Sequence, residues 1–383
     1  MNRKDKVLEY HRVGKEMEKI DRVYIYGCGK LGHILYEILK RYCSELYFID
    51  SDPSKWGDHV LSPQTFQYET PKTGTLTVVA AAMPGCTEIE KNLWSMGLIR
   101  HKDYFIFDEF MSKYLKVYLT YRHGISRLDI LDISLTQKCN LKCKDCSILT
   151  PYIENPVNRS LDEVLNDVDL LFSRVDFIEN IYLIGGEPLL YPEINMVCRQ
   201  LKMRYKEQYG ILFIATNGLV KISEKTLNTF KECGVRMQIS DYSKTNAAFL
   251  ERIDRFVGLL ENFGIPYDRM REFQWVNYGF RGEDREETEI ATAELFTKCG
   301  IDCRAMEKGR LYYCFPAMMV NKAMNIQQDP ENIFDLRNVE EGYKKRLLEF
   351  DMGSNERGYL KMCRRCNGSY LLNKRYIPAA EQL

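Results

Sequence analysis

The sequence has no excess of charge: 54 Lys and Arg balance 54 Asp and Glu over 383 residues. Without a surplus of either sign, nothing points to a nucleic-acid or membrane-surface partner. No apolar run reaches the about 18 residues that span a bilayer. The opening stretch, MNRKDKVLEYHRVGKEMEKI, is charged helix-forming sequence without the apolar centre of a signal peptide. The chain is therefore expected in a reducing cytoplasm, where disulfides are rare. Thirteen cysteines in that setting point to metal or catalysis rather than cross-linking.

Eight of the thirteen fall into two groups, 139–146 and 299–366. Cys28, Cys43, Cys86, Cys198 and Cys233 are scattered and read as small buried residues. In the first group, LTQKCNLKCKDCS, Cys139, Cys143 and Cys146 stand four and three apart. Three thiolates on one loop can face one metal centre and leave it a ligand short. Structural metal sites are closed by four protein ligands. An iron-sulfur cluster held by three cysteines keeps one iron open.

The length allows two or three domains. The first, 1–115, reads as a small Rossmann-like parallel-sheet unit. Strand 22–26 runs into Gly27, Gly29 and Gly32, a helix follows, and strand 45–49 ends at Asp50. That is the order a dinucleotide-binding unit requires, with a phosphate at the helix N-terminus and the acidic side chain on a ribose. The alternative is that the glycines serve only the sharp turn. The stretch resembles small domains appended to bacterial surface-polysaccharide and nucleotide-sugar enzymes. Residues 116–127 read as a linker.

From 128 the pattern becomes repeated strand–helix units, expected to form an α/β partial (β/α)6 barrel of the TIM type over 128–285. Strand 128–135 delivers the cysteine loop, and strand 177–184 ends in Gly185-Gly186-Glu187-Pro188. Strand 211–215 ends in Thr216-Asn217-Gly218, and strand 236–240 ends at Ser240 and Asp241. All these loops lie at strand C-terminal ends, the face on which barrel enzymes build their sites.

This combination resembles the radical S-adenosylmethionine (SAM) enzymes, whose signature is Cys-x3-Cys-x2-Cys followed by a GGEP-type motif. The resemblance implies a 4Fe-4S cluster on Cys139, Cys143 and Cys146, with SAM on the fourth iron. It implies SAM contacts from Gly185, Gly186, Glu187, Pro188, Asn217 and Ser240. Asp145 departs from the family pattern, which has an aromatic residue before the third cysteine. The competing reading of the trio is a zinc site, for which no further ligands are obvious.

Residues 286–383 contain Cys299, Cys303, Cys314 and the pair Cys363 and Cys366. Residues 308 and 309 read as a hairpin turn ahead of strand 311–314. The pattern resembles the twitch form of the SPASM auxiliary-cluster domain. By that resemblance Cys299, Cys314, Cys363 and Cys366 hold a second 4Fe-4S cluster, with Cys303 as the alternative to Cys299. A structural zinc ribbon on the same cysteines is the competing reading.

The resemblance implies an oxidoreductase that cleaves SAM to a 5′-deoxyadenosyl radical and takes hydrogen from a substrate carbon. The expected outcome is dehydrogenation or epimerisation of a sugar, nucleotide-sugar or glycan-linked substrate. A flavodoxin- or ferredoxin-type electron donor is implied as a partner. The alternatives are radical modification of a peptide and, in another class, a zinc-containing nicotinamide-dependent oxidoreductase. The sequence places neither a catalytic base nor a hydrogen donor, although the surplus cysteine at 299 or 303 is a candidate donor. Asp241 reads as a solvated turn residue.

Overall fold

The computed structural model describes residues 3–69, 74–282, 284, 287–369 and 372–383. The acidic stretch 281–289 lies partly outside them. Among the described residues no helix is long and apolar enough to cross a membrane. The chain divides into two units, one of residues 5–126 and one built from 127–383.

In the first unit, β1 (Arg22–Tyr26), β2 (Glu45–Ile49), β3 (Val60–Leu61), β4 (Thr75–Val79) and β5 (Tyr104–Ile106) form one parallel sheet in the order β3-β2-β1-β4-β5. This is doubly wound order, with β1 central and buried. At the end of β1, Gly27 has φ +118, and a Cβ on Gly32 would stand 2.0 Å from the Gly27 carbonyl oxygen. Both glycines are thus required by the turn itself. Asp50 accepts a hydrogen bond from the Cys28 amide at 2.9 Å and pairs with Lys55 at 3.0 Å. Its carboxylate closes the glycine loop on the protein's own groups.

The stretch read as a linker contains the helix Leu115–His123, with Val117, Tyr118 and Leu119 buried in this unit. Gly124, at φ 63, ends it, and the boundary falls after Ser126. The aromatic residues there supply core rather than spacing.

In the second unit, β6 (Arg127–Thr136), β7 (Phe177–Gly185), β8 (Tyr209–Thr216), β9 (Val235–Asp241) and β10 (Tyr267–Arg271) run parallel in sequence order. A short β11 (Gln274–Val276) leaves the sheet to pair with β15 (Tyr376–Pro378). The sixth parallel strand comes from the other side of the expected boundary at 285. It is β12 (Cys303–Glu307), which pairs with β6 in register Cys303 to Ile130. The antiparallel β13 (Arg310–Tyr312) and β14 (Ile333–Asp335) extend that edge. Residues 286–383 therefore complete the barrel sheet as well as carrying the second cysteine group.

Between β12 and β13 the turn residues Lys308 (φ 52) and Gly309 (φ 74) both adopt left-handed backbone. That is what a two-residue hairpin requires. Their amides donate to the Asp167 carboxylate at 2.7 and 2.6 Å, which also pairs with Arg159.

Strand residues alternate between two faces. Leu131, Ile133, Leu183, Ile214 and Ile239 pack in one core with Val168, Leu171, Leu201 and Phe230 of the flanking helices. The first of those helices, Leu161–Arg174, opens with a capping box formed by Ser160 and Glu163. The opposite set, Ile130, Asp132, Tyr182, Ile184, Gln238 and Ser240, faces the barrel interior and lines a cavity.

Candidate radical site in the barrel

The cavity measures about 450 Å³ and lies on the C-terminal side of the parallel strands. Cys139, Cys143, Cys146, Gly185, Gly186, Glu187, Asn217 and Ser240 all line it. Pro188 does not line it but is buried beside it, opening the turn Pro188–Leu190. Most of the residues singled out in the sequence thus meet in one place, although they come from four separate loops.

The cysteine loop is held by backbone from three directions. The Gly186 amide donates to the Thr136 carbonyl and the Glu187 amide to the Lys138 carbonyl, each at 2.8 Å. A Cβ on Gly185 would stand 2.4 Å from the Thr136 oxygen, and one on Gly186 2.4 Å from the Lys138 oxygen. The paired glycines are what allow the two loops to dock. The third support was not legible in the sequence. The Lys144 amide donates to the Glu381 carbonyl, the Leu383 amide to the Lys142 carbonyl, and Gln382 Nε2 to Cys143 Sγ at 3.4 Å.

Glu187 is almost fully buried. Its carboxylate accepts from Thr216 Oγ1 at 2.7 Å, from the Asn217 amide at 2.9 Å and from the Leu189 amide at 3.1 Å. Burial pushes its pKa up to about 7 against those hydrogen bonds. Asn217 in turn donates from Nδ2 to Asn140 Oδ1 at 2.8 Å, joining the third loop to the cysteine loop. Asp241 is not the exposed turn residue expected. It is fully buried and paired with Arg269 of β10 at 2.7 Å, because β10 covers it.

Asp132 of the wall was not singled out in the sequence. Asp132, on the inward face of β6, is pushed up to about 7, chiefly by burial. Its hydrogen-bond partner is the Cys303 thiol of β12, which burial holds well above the usual thiol range. A carboxyl group within an otherwise apolar parallel strand was the available signal. Tyr242 and Trp275 add aromatic faces, with rings 5.4 Å apart and nearly perpendicular.

Cys303 faces Asp132 and is also acted on by the Cys314 thiol. The thiols acting on Cys314, itself partly buried, include those of Cys363, Cys299 and Cys366. The Cys314 amide donates to Asn332 Oδ1 at 2.8 Å, and the Gly368 amide to Cys366 Sγ at 3.3 Å. An apolar cluster that includes Leu149, Phe280, Met362, Cys314 and Cys366 lies between this group and the end of the first cysteine loop.

No three His, Cys, Asp or Glu side chains among the described residues form a ready site for a single ion. The donor set suits a larger group. Three soft sulfurs come from one loop, with burial pushing the Cys139 and Cys143 thiols up to about 12 and about 11. Such thiols become thiolates when a cationic iron centre supplies the compensating charge. Beside them lie amide and hydroxyl groups and aromatic rings, which fit an amino acid joined to a nucleoside.

Residues 133–241 match the Radical SAM superfamily. The GTP 3',8-cyclase of Aquifex aeolicus is 31% identical over 145 residues, which is 36% of this chain and 42% of that protein. The mitochondrial GTP 3',8-cyclase of Arabidopsis thaliana is 36% identical over 110 residues, 27% of this chain and 26% of that protein. The chain thus spans less than half the length of these curated relatives. Among solved structures, BtrN in complex with AdoMet and 2-DOIA superposes with a TM-score of 0.38 at 16% identity, covering 60% of this chain and 84% of that one. Native anSMEcpe with bound AdoMet gives 0.32 at 18% identity, over 37% and 43%. Residues 133–241, which hold the cysteine loop and the paired glycines, are thus the part of the chain that carries a radical SAM domain.

Proposed function

We propose that this enzyme inverts a hydrogen-bearing carbon of a sugar carried on a nucleotide. The observation that carries the reading is the position of Cys303, whose thiol lines the same cavity as Cys139, Cys143 and Cys146. Cys139, Cys143 and Cys146 would hold a 4Fe-4S cluster, and SAM bound there would supply a carbon-centred radical able to remove a hydrogen atom from the substrate. The chain's own residues do the rest. Gly185 and Gly186 bring the second loop against the cluster loop, and Glu187 fixes the third loop. The barrel wall holds the sugar and keeps water from the radical.

Cys303 Sγ–H then gives its hydrogen atom to the substrate carbon: the S–H bond breaks and a C–H bond forms. The thiyl radical left on sulfur takes one electron from a ferredoxin- or flavodoxin-type donor and a proton from the Asp132 carboxyl beside it. Sugar oxidation state is unchanged. Cys299, Cys314, Cys363 and Cys366 would hold a second 4Fe-4S cluster without an open iron, suited to passing that electron.

The similarity to GTP 3',8-cyclases favours a second reading, in which a nucleoside triphosphate is the substrate. Solvent deuterium separates the two. In D2O, with SAM, reductant and candidate UDP-sugars, epimerisation gives a product one mass unit heavier, with deuterium at the inverted carbon. A product two mass units lighter would show dehydrogenation and remove the assignment of Cys303. A cyclised nucleotide formed from GTP would establish the second reading.

A further inference from the structure

A second cavity, of about 470 Å³, shares Cys146 and Ser147 with the first. Its character is different. Three guanidinium groups line it, from Arg281, Arg365 and Arg375. Arg365 pairs with Asp284 at 2.8 Å and donates to the Gly282 carbonyl. The other two have no carboxylate partner among the described residues. Arg281 donates to the Tyr152 hydroxyl at 2.7 Å with its guanidinium 4.4 Å from that ring, and Arg375 donates to Asn367 Oδ1 at 2.8 Å. Each guanidinium has five N–H donors, so most of those on Arg281 and Arg375 are left for another acceptor. One carboxylate, Asp145, also lies on the wall. With Asp284 counted, three positive charges face two negative ones among the described residues.

Planar forks of this kind match phosphate oxygens in pairs. The same wall carries Tyr278 and Phe280, whose rings stack at 5.3 Å and 3°. Guanidinium groups beside aromatic rings suit a nucleoside bearing phosphates, since the anion and the base each find a complementary surface. Cys146 and Ser147 line both cavities, so the two adjoin.

We infer that the cavity lined by Arg281, Arg365 and Arg375 is the binding site for the diphosphate of a nucleoside-diphosphate substrate. This deepens the proposed function and rests on it for the sugar, but not for the binding of the nucleotide. The site holds the non-reacting half of the molecule, and the sugar reaches across the shared wall to the radical cavity. The diphosphate then carries most of the affinity, and the sugar sets which carbon meets the radical.

Titration of the cluster-loaded enzyme by calorimetry tests this with UDP, GTP, inorganic pyrophosphate and inorganic phosphate. Arg281 and Arg375 are both exposed, so Arg281→Ala, Arg375→Ala and the double variant keep the fold. UDP is expected to bind, pyrophosphate more weakly, and the double variant to lose at least about tenfold in affinity for both. Tighter binding of GTP than of UDP, lost in the same variant, keeps the site and makes the occupant a nucleoside triphosphate. Asp50→Asn, in the glycine loop of the first unit, should leave UDP binding unchanged. UDP binding that survives the double variant, or that falls only with Asp50→Asn, would overturn the inference. Loss of epimer formation with UDP binding intact would instead sink the proposed reaction and leave this site standing.

Discussion

The Cys303 thiol is hydrogen-bonded to the Asp132 carboxyl across the seam where β12 joins β6. Asp132 sits one inward position along β6 from Ile130, the residue registered with Cys303. β12 therefore brings Cys303, the hydrogen donor of the proposed reaction, beside the Asp132 carboxyl of β6.

Replacing Cys303 with alanine should leave both clusters loaded, at about eight irons per chain. Replacing Cys139, Cys143 and Cys146 together should leave about four. In Cys303→Ala, 5′-deoxyadenosine should still form while epimer formation is lost, so SAM cleavage runs uncoupled from product. Iron and sulfide analysis beside chromatography of both products checks this. A fall to about four irons in Cys303→Ala would make Cys303 a ligand and remove its role as donor.

Gly186 tests the docking of the two loops. A methyl group there would stand 2.4 Å from the Lys138 oxygen, and that oxygen is backbone already bonded to the Glu187 amide. Overpacking of this kind typically costs about 1–3 kcal/mol, and relief requires the cysteine loop to move. Gly186→Ala is expected to lower the thermal midpoint and empty the core site, with iron near four per chain and the second cluster retained. Full iron content and normal 5′-deoxyadenosine formation would show that the close approach is dispensable.

Much of this site was legible because its signals are local. Three cysteines on one loop, paired glycines at a strand end and a capping box at Ser160 are each complete within a few residues. The pairing of Cys303 with Asp132 was not, because it depends on β12 returning to the edge of β6 after four intervening parallel strands. The strand alternation marked the even-numbered residues of β6 as one face but could not say what would cover them. The reading of 116–127 was limited for a related reason: its tyrosines and leucines fit an amphipathic connector equally well until their burial is known. Gln382 was invisible because a lone amide near the end of a sequence carries no pattern.

That amide makes a separate prediction. Gln382 Nε2 donates to Cys143 Sγ at 3.4 Å, and hydrogen bonds to cluster sulfurs raise the reduction potential by stabilising the more negative reduced state. Gln382→Leu keeps the size but removes the donor. The core cluster should still assemble, because the backbone bonds of Lys144 and Leu383 remain. Its potential should shift to more negative values, measured by redox titration followed by electron paramagnetic resonance, with 5′-deoxyadenosine formation slowing at a fixed reductant potential. An unchanged potential would reduce Gln382 to a structural contact.

Asp132 also sets a pH dependence of stability whose sign follows from its shift. In the unfolded chain its carboxyl titrates near about 3.9, and in the folded protein burial pushes it up to about 7. Between those values the folded state binds more protons than the unfolded one, so stability falls as pH rises and levels off above about 7. The loss from pH 5 to pH 8 is at most about 3 kcal/mol, from about 1.4 kcal/mol per unit. Asp132→Asn keeps the shape and an acceptor for the Cys303 thiol but does not ionise. The variant should therefore match the wild type near pH 5 and exceed it at pH 8, read as the difference in thermal midpoints. A constant difference across that range would place the titration of Asp132 well below neutrality. The proton for Cys303 would then have to come from elsewhere.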